Sequence, residues 1–172
     1  MDTDEDMLGI VCCFRKIDER TRKSWMNWFA SQWSASPYIH AEFYFMFDVV
    51  TVTVDTRKPV TFIDYGNDYS DRNKWECYVI WVHRSNYVRV YNYCRKQERK
   101  PFDKSGIYCF GCTRLCTSGS DGEAWICTRL MCEALKKGDV LDYSVDSYSI
   151  TPTRLRELIL EQNRWNVERY KS

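Results

Sequence analysis

The stretch Tyr38-Ile-His-Ala-Glu-Phe-Tyr-Phe-Met-Phe47 sets a histidine and a glutamate, two residues apart, into the most strongly β-forming run of the chain. Aromatic and β-branched side chains pack well on a pleated surface, so the run predicts a strand. Asp48 marks a turn, and the β-branched run Val49 to Val54 returns as its hairpin partner. Val60 to Ile63 adds a short strand, and Trp75 to His83 alternates as a strand does. Upstream, Gly9 to Phe14 reads as a first buried strand.

Helices are predicted around this core of strands. Asp18 to Ser34 carries Trp25, Trp28, Phe29 and Gln32 at helical spacing, has no Gly or Pro, and is ended by Pro37. Tyr87 to Lys100 follows a turn at Arg84-Ser-Asn86, with Ser85 or Asn86 as its cap. Trp125 to Lys137 places Leu130, Ala134 and Leu135 on one face and ends at Gly138 as C-cap. Pro152 to Asn163 opens with Thr151 as N-cap and Pro152 at the first helical position. Tyr65 to Asn73 and the Cys-, Gly- and Ser-rich stretch from Asp103 to Gly122 read as irregular. The order predicts an α+β fold, an antiparallel sheet packed against helices.

A chain of 172 residues suits one domain over 1–172, with the acidic residues 1–6 as a disordered N-terminus and 104–122 as an insert loop. At 44% hydrophobic and 16% aromatic it has enough apolar surface for a core, which argues against wholesale disorder. Lys and Arg number 25 against 24 Asp and Glu, a net charge of +1 that gives no electrostatic case for nucleic acid as a partner. No run approaches the roughly 18 apolar residues of a membrane span, so no integral membrane segment is expected. The acidic start lacks the basic region and apolar run of a secretory signal. With nine cysteines, an odd number, and no export signal, the expected location is a reducing, cytoplasmic compartment.

Most of these cysteines read as core thiols, since a free Cys packs like a small hydrophobe. Cys127 stands apart at the start of a predicted helix, where partial positive charge and unpaired N–H groups lower a thiol pKa and can bind an oxyanion. Cys132 lies inside the same helix, beyond that influence. The two histidines are His40 and His83. His40, mid-strand in an aromatic run, is either a packed, hydrogen-bonded core residue or the base that a cysteine nucleophile needs. His83 closes a strand and reads as a strand-end residue. Cys109-x-x-Cys112-x-x-x-Cys116 resembles half of a zinc site, but no second close pair completes four ligands, so no metal or other cofactor is expected.

Five segments together resemble the permuted NlpC/P60-like group of papain-like cysteine hydrolases. Tyr38-Ile-His40-Ala-Glu42-Phe-Tyr-Phe45 resembles the strand of the catalytic histidine, and Val52-Thr-Val-Asp55 followed by Val60 resembles the next strand, which brings an acidic residue toward it. Lys100-Pro-Phe-Asp103-Lys-Ser-Gly-Ile107 resembles the segment ahead of the nucleophile. Trp125-Ile-Cys127-Thr-Arg-Leu-Met-Cys-Glu-Ala-Leu135 resembles the cysteine helix, and Thr151-Pro152 with Leu155 the opening of the final helix. The resemblance spans residues 37–160, histidine first and cysteine later. The aromatic content and the Cys-rich insert are similar to the branch found in large DNA viruses. One departure is clear: Thr128-Arg129 stands where the group has Ser-Glu after the cysteine.

The resemblance implies a circularly permuted papain-like domain in which a Cys127 thiolate attacks a carbonyl and His40 donates a proton to the leaving group. Its third member is expected to be Asp55, which fits the acidic position by its spacing to Val60. Glu42 is the alternative, because residues two apart leave the same face of a strand. Substrates implied are peptide, protein or lipid-acyl groups joined by amide, ester or thioester bonds. An inactive relative serving as an interaction module and an acyltransferase of the same fold are the alternatives.

Overall fold

The computed structural model of the chain describes residues 6–17, 37–64, 68–103, 123–163 and 167–170. The helix expected over Asp18 to Ser34, the insert over 104–122 with Cys109, Cys112 and Cys116, and residues 1–5 of the acidic start lie outside them. Among the described residues the chain is α+β, with six strands and three helices. The strands are β1 (Met7–Lys16), β2 (Tyr38–Phe45), β3 (Val50–Asp55), β4 (Lys58–Asp64), β5 (Trp75–His83) and β6 (Val167–Arg169); the helices are α1 (Arg84–Gln97), α2 (Cys127–Lys137) and α3 (Pro152–Gln162). The sheet order is β4-β3-β2-β1-β5-β6, with every neighbouring pair antiparallel.

Strand alternation divides the side chains between two faces. One face carries Ile10, Cys12 and Phe14 of β1, Ala41, Phe43 and Phe45 of β2, Val50, Val52 and Val54 of β3, and Ile80 of β5. The helices cover it, burying Val90 and Cys94 of α1, Leu130, Met131, Ala134 and Leu135 of α2, and Leu155 and Ile159 of α3. The other face holds a smaller cluster of Val11, Cys13, Tyr69, Trp75, Cys77 and Val79, with Tyr44 and Trp81 against it. His40 and Glu42 alternate onto this second face.

The ends of the helices are set by identifiable contacts. α1 begins at Arg84, earlier than expected, because His83 rather than Ser85 or Asn86 supplies the cap: its Nδ1 accepts the Ser85 N–H at 3.3 Å. α2 begins at Cys127 rather than Trp125. The Trp125 N–H donates to the Pro101 carbonyl at 2.9 Å and its carbonyl accepts from Asp103 N–H at 3.0 Å, which holds Trp125 extended as a bridge partner of Phe102. Thr151 caps α3 as expected, its Oγ1 accepting the Arg154 N–H at 3.1 Å.

Gly138 follows α2 for a reason the sequence does not display. Its φ is −91°, ordinary for any residue, and the left-handed turn falls on Asp139 at φ 55°. What excludes a side chain at Gly138 is α1, since a Cβ there would run into Cγ2 of Val90 and lie 3.2 Å from the Asn86 carbonyl. Gly138→Ala is therefore expected to push α1 and α2 apart and cost about 1–3 kcal/mol. Leu135→Ala, at a fully buried site, is expected to cost about 2–5 kcal/mol. Urea denaturation of both variants against the parent checks these values.

Candidate active site

Backbone parity along the central strands prepares a place for a sulfur atom. Met46 N–H donates to the Gly9 carbonyl across the β1–β2 edge. Residues at every second position of β1 from Gly9, through Val11 to Cys13, thus aim their backbone groups at β2. Cys13 is the register partner of Glu42, so Glu42 returns its backbone groups to β1. Ala41, the next residue, aims its N–H the other way, toward β3. The β2–β3 register runs from Phe45↔Val50 only to Phe43↔Val52, and beyond it the Ala41 N–H goes to the sulfur of Cys127.

Cys127 reaches this gap as the first residue of α2. The Thr128 N–H, one of the amides that a helix start leaves without an internal partner, also donates to the sulfur. His40 approaches from the second face of the sheet and hydrogen-bonds the sulfur. Its Nε2 lies 2.9 Å from Thr53 Oγ1 and 3.2 Å from Glu42 Oε2. The edge of Trp75 flanks the ring at a centroid distance of 6.5 Å.

Glu42 is 2% exposed and is the carboxylate that orients the imidazole. Its Oε1 accepts from the Tyr69 hydroxyl at 2.7 Å, and that hydroxyl in turn lies 3.0 Å from Thr51 Oγ1. Burial and the nearby Cys13 and Glu42 hold the Tyr69 pKa up, so its proton stays in place as a donor. A chain of polar groups thus runs Thr51, Tyr69, Glu42, His40, Cys127. Asp55, expected to orient His40, does not: its Oδ1 accepts from the N–H groups of Arg57 and Lys58 at 2.7 and 3.0 Å and closes the β3–β4 turn. A register irregularity between Thr53 and Asp55 takes the latter out of line with the ring, and Thr53 lies against Nε2 instead.

The electrostatics follow from these contacts. Burial by itself lowers the His40 pKa, but the hydrogen bonds to Cys127 and Glu42 and the charges of both outweigh it, raising the value to about 10. Burial by itself raises the Cys127 pKa, and here the His40 hydrogen bond, the imidazolium charge and the two backbone N–H groups win, so the thiol is lowered. Each group thus favours the charged form of the other. Other cysteines go the opposite way: burial raises Cys12, Cys13 and Cys94, and pushes Cys132 to about 11. His83 is the α1 cap and takes no part in this arrangement.

Arg129, where the resemblance leads one to look for glutamate, lies about 200° around the helix from Cys127. Its guanidinium stacks 3.8 Å from the Tyr148 ring centroid and lines a cleft of about 420 Å³ with Tyr93, Gln97, Trp125 and Glu133. Among the described residues no three His, Cys, Asp or Glu side chains gather as a metal site, and no helix is long and apolar enough to cross a membrane. No protein-family model matches the chain, and no curated protein is similar enough to match it.

The pair makes a direct prediction for NMR. In a proton titration, the His40 ring is expected to stay protonated through neutral pH and to lose its proton near pH 10. Because Glu42 helps to raise that value, Glu42→Gln should move the titration to lower pH. A His83→Gln variant assigns the second imidazole signal. A His40 ring that titrates as free histidine does, near pH 6.5, contradicts the pairing.

Proposed function

We propose that this chain is a cysteine hydrolase of the permuted NlpC/P60-like, papain-like group. In this reading it cleaves an amide, ester or thioester bond of a peptide, protein or lipid-acyl substrate. The reading rests on one observation above the rest: a part-buried imidazole hydrogen-bonded both to a thiol of lowered pKa and to a buried carboxylate. The order of the parts supports the family assignment, with the histidine strand ahead of the cysteine helix and the sheet packed on that helix.

The proposed steps use groups already in position. The Cys127 thiolate attacks the carbonyl carbon, and the electrons of the C=O move onto oxygen. The N–H of Cys127 at the helix start faces the developing oxyanion, a type of donor whose loss costs about 10²–10³ in rate in acyl-transfer enzymes. The His40 imidazolium gives its proton to the leaving group as the tetrahedral adduct collapses to a thioester. Neutral His40 then takes a proton from water, the hydroxide releases the acid, and the thiolate is restored. Glu42 stabilises the imidazolium and fixes the ring, while Thr53 and Tyr69 hold His40 and Glu42 in place.

Alkylation tests this without knowledge of the substrate. At pH 6, iodoacetamide is expected to modify Cys127 at least about tenfold faster than the other thiols. His40→Gln should abolish that advantage. With a panel of acyl esters, acyl thioesters and peptide amides, the parent should accumulate an acyl adduct on Cys127 detectable by mass, and Cys127→Ala should not. Products formed with water and with an added amine separate hydrolysis from acyl transfer. Preferential labelling of any other cysteine, or a His40→Gln variant that labels as the parent does, removes the basis of the reading.

A further inference from the structure

A second pair of cysteines lies on the same sheet, apart from Cys127. Cys13 of β1 and Cys77 of β5 are direct register partners in antiparallel strands. They are 0% and 6% exposed and belong to the same cluster on the second face. Both are free thiols in this structure, and their side chains are hydrogen-bonded to each other.

Which kind of antiparallel pair they form decides what they can do. The Tyr170 N–H donates to the Cys77 carbonyl at 3.0 Å, so the backbone groups of Cys77 face β6 and not β1. Parity from Gly9, whose carbonyl accepts from Met46, aims the backbone groups of Cys13 at β2. Neither residue therefore bonds its neighbour across the β1–β5 edge. This is a non-hydrogen-bonded pair, the class in which Cα atoms lie about 4.5 Å apart and side chains come closest. That spacing falls within the roughly 4.4–6.8 Å that a disulfide spans.

We infer that Cys13 and Cys77 are a disulfide-forming pair, closed by a small two-electron oxidant of the hydrogen peroxide class, and that closure clamps β1 to β5 directly behind Glu42. The chemistry balances in two steps. The sulfur of Cys77, the less deeply buried of the two, attacks one peroxide oxygen; the O–O bond breaks, the thiol proton leaves with the second oxygen as water, and Cys77 becomes a sulfenic acid. The sulfur of Cys13 then attacks the Cys77 sulfur; the S–O bond breaks, the S–S bond forms, and the Cys13 proton leaves with the hydroxyl as a second water. The two sulfurs give up two electrons and the peroxide takes them.

The full-length Cys127→Ala protein provides the test, since it lacks the thiol that peroxide would otherwise consume first. After peroxide treatment and alkylation of remaining thiols, peptide mass fragmentation is expected to join Cys13, not Cys12, to Cys77, with loss of the link on reduction by dithiothreitol. The crosslinked protein should melt about 5–10 °C higher than its reduced form, as closing a long loop predicts. Cys77→Ser and, independently, Cys13→Ser in the same background should lose both effects, so one variant serves if the other does not fold. Recovery of Cys13 and Cys77 as alkylated thiols after exhaustive treatment overturns the inference, as does a link from Cys13 to any other cysteine. The readouts are mass and melting temperature, so this result stands or falls separately from the hydrolase reading.

Discussion

The arrangement turns on a buried thiol and a part-buried imidazole that each favour the other's charged form. Removing each ion from solvent costs several kcal/mol, and mutual attraction offsets this only if the remaining valences are also met. In this chain they are met on both sides. The sulfur takes the N–H groups of Thr128 and Ala41, and the ring takes Glu42 and Thr53. Glu42, itself buried, is bonded by Tyr69. The condition for all of this is geometric: the β2–β3 register stops at Phe43↔Val52, two residues short of Ala41, so that an amide and a space are left for a sulfur arriving from the helix layer.

That geometry also explains how two faces of one sheet collaborate. Cys127 belongs to the helix-covered face and His40 to the opposite one, and the opening between β2 and β3 is where they meet. Cysteine chemistry here follows position more than residue type. Cys127 and Cys132 share a helix, yet only the first is bonded by an imidazole and by backbone N–H groups. Cys132, one and a half turns on, meets burial first and shifts the other way.

The parts of this site that were legible in the sequence were those set by local rules. A β-rich run around His40, a helix opening near Cys127 and the Thr151-Pro152 start of α3 all follow from propensity and capping. The carboxylate beside His40 was not fixed by such rules. Spacing pointed to Asp55, but a register irregularity sent that carboxylate into its own turn, whereas the parity that brings Glu42 beside His40 could be counted directly. Tyr69 left no local signal, because its place follows from packing against Tyr44 and Trp75. The short β6, a Val-Glu-Arg segment, was equally silent: only the edge of β5 tells it to be a strand. Gly138 does end α2, and what requires glycine there is crowding by α1, not a left-handed backbone.

The central position of β1 has a consequence for how the chain is made. This strand leaves the ribosome before its partners, yet it sits in the middle of the sheet, flanked by β2 on one side and by the much later β5 on the other. The meander from β1 to β4 is contiguous enough to form early, but until β5 emerges it exposes an open β1 edge with Ile10, Cys12 and Phe14 beside it. An unpaired apolar edge is a template for pairing with other chains. The nascent protein therefore passes through a stage in which the inner edge of its own sheet stands open, and that edge closes only with the last third of the β-rich half, when β5 arrives.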